Sequence, residues 1–251
     1  MSVLTLIALA TIVVVEEEGS SRDDATLPVP RARAVLIDGT VDEEEWRGSV
    51  VVRRPEGELL LRHDGKYLYV GVRANRRGFA SVCFARGNTV RVAHASFALG
   101  EVAYTRSGGS WNLRAPFEWT FPPRTLGPHV DRSRARFLAE HGWIGSTVPM
   151  GDPRHAEMQI ALDQLDPRDL RIGVAFFLED EGRGEGIGSW AAVGARAGGR
   201  DACADNRLVR GYPPERLTFR TKAWTKLTLA PSTSEVKRSP KRSSSPRTAV
   251  A

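Results

Sequence analysis

The sequence predicts an all-β fold: an antiparallel β-sandwich of the jelly-roll or immunoglobulin-like kind, with one or two short helices in its loops. Three observations carry this. Apolar and polar residues alternate with period two through most of the chain. The 24 Gly and 15 Pro supply many turns. The segments between alternating runs are mostly too short for the crossovers that parallel strands need. A chain of 251 residues is long enough to bury one large core. No run of about 20 apolar residues occurs, which excludes an ordinary membrane-spanning helix. Two cysteines exclude a disulfide-rich scaffold and a structural zinc site built mainly from cysteine.

From the N-terminus, Val3 to Val15 is apolar apart from two threonines and has the length of a signal-peptide core. No Lys or Arg precedes it, and the one A-x-A site, Ala8-Leu9-Ala10, falls in its middle. A secreted or periplasmic protein of a bacterium-like cell is expected, against a buried N-terminal strand or a misplaced start. Residues 16–34, with Pro28 and Pro30, read as a polar linker. Asp38-Gly39 is a turn, and Asp42 to Trp46 forms one helical turn with acids at its dipole-favoured end. In 67–73, Leu68, Val70 and Val72 share one face, and Tyr67, Tyr69 and Arg73 the other. In 88–99, Val90, Val92, His94 and Ser96 oppose Arg91, Ala93, Ala95 and Phe97. Asp131 is placed as the N-cap of a helix to His141, which Gly142 stops. Ala156, Met158, Ile160 and Leu162 alternate with Glu157 and Gln159, and a short turn follows at Asp163 to Leu165. Ile172, Val174, Phe176 and Leu178 alternate with Gly173, Ala175, Phe177 and Glu179. The end, SPKRSSSPRTAVA, has too few apolar groups to offset the entropy of ordering. The expected organisation is 1–34 as signal-like segment and linker, 35–230 as one sandwich domain, and 231–251 as a disordered basic Ser/Pro tail.

The net charge of +6 is misleading until it is partitioned. The tail 231–251 carries +4 and residues 1–34 carry −2, which leaves +4 on the body. A body so mildly basic lacks the electrostatic footprint of a DNA-binding face, so no nucleic-acid partner is expected.

The order of the motifs resembles carbohydrate-binding module family 9 and its DOMON-like sandwich relatives. The resemblance rests on IDGTVDEEEW (Ile37 to Trp46), LLLRHDGKYLYVGVRA (Leu59 to Ala74), AEMQIALDQL (Ala156 to Leu165), LRIGVAFFLED (Leu170 to Asp180) and AWTKLTL (Ala223 to Leu229). These follow the family's I-D-G-x-x-D-x-x-W turn, its Y-L-Y-V strand, its E-x-x-I-P strand and turn, and its closing Trp. The similarity spans roughly 37–229. Ala161 stands where the family has proline, and 75–155 does not align with the sugar-binding members, so the family's ligand aromatics do not carry over by position and only the structural signature transfers. It implies packing roles for Trp46 and for Tyr67-Leu68-Tyr69, and turns at Asp38-Gly39 and Asp64-Gly65. The superfamily holds sugar-binding and haem-binding members alike.

Sugars present apolar C–H faces, and flat aromatic rings edged by hydrogen-bonding groups recognise them. Trp46 and Trp224 fall in the shared motifs and are read as core. Trp111, Trp119, Trp143 and Trp190 lie in or beside Gly-rich or Pro-rich segments and are the candidate ligand-binding residues, with Arg91, Glu157 and Gln159 as hydrogen-bonding neighbours. Binding is thus expected to depend on the tryptophans rather than on charge. Asp180, Glu181 and Glu185, or Asp201 with Asp205, are the candidate carboxylate groups. Glycines at 182, 184, 186 and 188 make the first a poor platform for a glycosidase pair. Calcium is a possible occupant, although the ordered acidic spacing of a calcium loop is absent. No zinc, Walker or nucleophile-elbow spacing occurs, so no catalytic residue, metal ligand or required cofactor is assigned.

The expected function is a non-catalytic carbohydrate-binding-module-like protein binding a glycan or polysaccharide through loop aromatics. One alternative is a haem-b electron-transfer domain, for which His94, Met150 and Met158 are the plausible axial donors. Another is a structural sandwich that binds a protein. Cys83 and Cys203 either pair or stay buried as thiols, and free thiols are the favoured reading.

Overall fold

The structure is a computed structural model that describes residues 14–15, 26–121, 128–179, 187–193, 202–209 and 212–231, with 14–15, 116–121, 128–131, 187–193, 206 and 209 described by their backbone alone. The rest of the apolar N-terminal segment, residues 16–25 and the basic tail from 232 lie outside the described residues. The strands are β1 (Val14–Val15), β2 (Thr26–Val29), β3 (Val50–Arg54), β4 (Gly57–His63), β5 (Tyr67–Ala74), β6 (Gly78–Arg86), β7 (Thr89–Ala95), β8 (Leu99–Ser107), β9 (Ser110–Phe121), β10 (Trp143–Gly145), β11 (His155–Ala161), β12 (Arg171–Glu179), β13 (Ile187–Val193), β14 (Arg216–Leu217) and β15 (Thr225–Leu229).

Two sheets result. One runs β1-β3-β4-β5-β11-β10 and the other β14-β9-β8-β7-β6-β12-β15-β2, with β13 also on β12. Nearly every pairing is antiparallel, as hairpin-length connections dictate. The exceptions are two edges: β1 lies parallel to β3, and β2 parallel to β15. Part of the expected linker is therefore strand β2, which pairs Leu27 with Leu227 and buries Val29 completely.

The alternation expected for β5 and β11 holds on the inner face. Leu68, Val70, Val72, Met158 and Ile160 are buried between the sheets with Val82, Phe84, Ala95, Leu99, Val174 and Phe176. The opposite faces are only partly open to solvent, because each sheet carries a second layer. Residues 35–49 lay Ile37, Val41 and Trp46 over the outer face of the smaller sheet. The close fit is set at Gly71, where an added Cβ would stand 2.9 Å from the Trp46 ring. Segment 202–224 lays Ala202, Cys203, Leu208, Phe219 and Trp224 over the outer face of the larger sheet, onto Cys83, Val90, Val92, Val102 and Tyr104.

The helix α1 (Pro128–His141) starts three residues before the expected cap, so Asp131 lies inside it. It ends where expected: the Gly142 N–H donates to the Leu138 carbonyl at 2.8 Å, and φ of +71° there favours glycine. Asp42 to Trp46 forms hydrogen-bonded turns rather than a helix. The Asp42 carboxylate accepts from the Glu44 and Glu45 N–H groups, and Trp46 N–H donates to the Asp42 carbonyl. Among the described residues no helix is long and apolar enough to cross a membrane.

The cysteines correct the free-thiol expectation. Cys83 on β6 and Cys203 in the covering segment form a disulfide, with α-carbons 5.9 Å apart and a sequence separation of 120. The bond pins the outer layer to the larger sheet across chain separation that no sequence pattern resolves.

Candidate functional site

The family-like motifs converge on one buried carboxylate. Glu157 on β11 pairs with Gly71 of β5 and faces the layer formed by 35–49. Its Oε2 accepts from the Gly39 N–H at 2.8 Å and the Asp38 N–H at 3.0 Å, and its Oε1 accepts from Trp46 Nε1 at 2.9 Å. Gly39, at φ of +92°, turns the backbone so that consecutive N–H groups point at the carboxylate. The Asp38 side chain closes the same turn by accepting from the Thr40 N–H. Glu157 is wholly buried. Burial pushes its pKa up to about 7, over the opposing pull of the Trp46 and backbone donors. The expectation that Glu157 faces a ligand is therefore corrected: both its oxygens hold the I-D-G turn and Trp46 in place. At the other turn, Asp64 accepts from the Lys66 and Tyr67 N–H groups and from the Tyr69 hydroxyl.

Arg91 is also committed to the scaffold. Its guanidinium forks onto Glu101 at 2.8 and 2.5 Å and donates to Gln164 Oε1 and the His141 carbonyl, both at 2.7 Å. Glu101 Oε2 accepts from Trp143 Nε1 at 2.6 Å. Trp143, expected in a loop, begins edge strand β10, which pairs with β11, and its ring packs edge-on against Phe137. It is fully buried and offers no stacking face. Gln159, opposite Tyr69, is half-buried.

Trp111 is the second residue of β9 and packs edge-on against Phe219 at 5.8 Å. Its Nε1 donates to the Phe219 carbonyl, and it is only 6% exposed. It therefore forms a floor rather than the expected stacking platform. Trp119 pairs through its backbone with Gly100, and Trp190 with Phe176; their side chains lie outside the described ones. The structure thus places Trp111 and Trp119 at two points along β9, Trp143 on β10 and Trp190 on β13, rather than in loops.

Above the Trp111 floor lies a groove of about 280 Å³, between the β8–β9 hairpin and residues 217–222. Its polar lining is Arg106, Arg220, Lys222, Ser110, Thr218 and Thr221. Arg106 stands 6.0 Å from the centre of the Trp111 ring, within cation–π reach. Lys222 Nζ pairs at 3.0 Å with Asp169, which also holds Arg171. Among the described side chains of this lining, only the hydroxyls can accept as well as donate. Sequence reading missed the groove because its cations come from segments more than 100 residues apart.

No protein-family model matches the chain, and no curated protein matches it. The chain is similar in structure to a carbohydrate binding module family 9 from Caldicellulosiruptor kristjanssonii in complex with cellotriose. That likeness covers 82% of this chain and 93% of the other, at 12% identity and a TM-score of 0.40.

The remaining candidates are placed as follows. His94 is buried, with Nδ1 at 2.8 Å from the Ser81 hydroxyl and Phe79 and Phe177 edge-on to its ring. Burial pushes its pKa down to about 3, so it is neutral. Met158 lies between the sheets, across β7 from His94, and the Met150 sulfur accepts from Arg134 and the Thr147 N–H. These donors therefore do not face one haem-sized space. Asp205 is engaged by Arg207 at 2.6 Å. Residues 180, 181, 185 and 201 lie outside the described residues. Among the described residues no three metal-ligating side chains cluster.

Proposed function

We propose that the chain is a non-catalytic, carbohydrate-binding-module-like protein that binds a polysaccharide at the Trp111 groove. The observation that carries this reading is the groove itself. It is an open, donor-lined depression at the rim of a sandwich whose shared-motif residues are spent on packing elsewhere. Loops and edges at the rim of a rigid sandwich are where such a fold presents ligand contacts. Trp119 and Trp190 enter as the further stacking candidates. The Cys83–Cys203 bond supports a secreted or periplasmic protein, because disulfides persist in oxidising compartments.

Affinity electrophoresis tests the reading. The full chain is run through native gels containing neutral, uronic-acid or sulfated polysaccharides. Retardation by at least one of them is expected, relieved by substitutions lining the groove. Unchanged mobility in every gel would overturn it.

A further inference from the structure

We infer that the groove takes an acidic polysaccharide, recognised through the carboxylate or sulfate groups on its sugars; this rests on the reading of the groove as a glycan site. A neutral sugar hydroxyl both donates and accepts, so neutral-sugar sites pair it with carboxylates or amides as well as with cations. Among the described residues no carboxylate or amide side chain lines the groove, while Arg106, Arg220 and Lys222 do. Such a lining is matched by an acceptor-only partner. Guanidinium forks fit the planar carboxylate and the sulfate with paired hydrogen bonds.

Charge points the same way. Asp169, which pairs with Lys222, is shared with Arg171, so it balances the Lys222 charge only in part. The aromatic contribution is limited. Trp111 is almost wholly covered and its Nε1 is spent on Phe219, so the ring serves as a floor that orients Arg106. Charge, rather than ring stacking, holds the ligand, which reverses the expectation drawn from the tryptophans. A depression of about 280 Å³ accommodates a sugar unit or two and not the long basic track that a nucleic-acid backbone needs.

The test is calorimetric titration of the full chain with a hexameric oligogalacturonate, a sulfated dextran oligosaccharide, cellohexaose and a short single-stranded oligonucleotide. Binding of the carboxylated or the sulfated sugar is expected, and the two arms tell which group is read. Affinity should fall steeply as salt screens the site. Arg106→Gln, Arg220→Gln and Lys222→Gln should each weaken binding by about threefold to tenfold. Arg53→Gln, on β3 of the other sheet, should leave it unchanged. Cellohexaose bound as tightly as the acidic sugars and indifferent to the three substitutions would overturn the acidic class while leaving the glycan reading intact. No binding of any sugar would overturn both. Tighter binding of the oligonucleotide, lost in the same variants, would replace the glycan with nucleic acid.

Discussion

Glu157→Gln probes the junction on which the motifs converge. The unfolded side chain titrates near 4.5, whereas the folded one is raised to about 7. A raised carboxyl binds its proton more tightly when folded. Its contribution to stability is therefore complete below about pH 4.5 and is lost as pH rises towards 7. At 1.36 kcal/mol per pH unit, that loss is about 3 kcal/mol over the window. Glutamine is uncharged throughout and close in shape. Relative to the wild type, the variant should therefore gain about 3 kcal/mol between pH 4.5 and 7. Urea unfolding followed by tryptophan fluorescence, at half-unit pH steps, reads this difference directly, and other titrating groups cancel in the comparison. Parallel stability curves for the two proteins across the window would refute the reasoning, as would a drift in the wild type's favour. Glu157→Ala should be costly at every pH, on the order of 3–5 kcal/mol, because three donors lose their acceptor.

Thiol titration of the denatured, unreduced protein should find no free cysteine, and Cys83→Ala/Cys203→Ala should lower stability by about 2–5 kcal/mol in equilibrium unfolding. Gly71→Ala should destabilise by about 1–3 kcal/mol, measured by thermal melting, because its Cβ would press on the Trp46 ring. Arg91→Ala removes the fork that holds Glu101 and leaves that carboxylate facing Trp143 without its partner; a loss of about 3 kcal/mol is expected by chemical denaturation.

The inner faces were legible because period two sorts Leu68, Val70 and Val72 from Tyr67 and Tyr69 without knowledge of partners. The same rule cannot tell what lies over the second face. Tyr69 and Glu157 read as outward residues, yet both are buried, and Glu157 lies under the turn at Asp38-Gly39 and Trp46, more than 100 residues away in sequence. A glutamate between buried Ala156 and Met158, three residues before Ile160, was the available signal that it is structural. Trp143 and Trp111 misled for a different reason. Glycine neighbours resemble loop punctuation, but Gly142 stops α1 just before an edge strand, and Gly108-Gly109 form the turn of the β8–β9 hairpin. The groove needed the fold, since β14 must pair with β9 before Arg220 and Lys222 come beside Arg106.

The central claim is that the groove above Trp111 is where this protein holds a glycan. A crystal structure of the full chain with the oligosaccharide retained in the affinity gels tests it most directly. The account predicts an acidic group of the sugar within about 3 Å of the Arg106 or Arg220 guanidinium, above the Trp111 floor. An oligosaccharide bound elsewhere on the sandwich, with this groove empty, would contradict it.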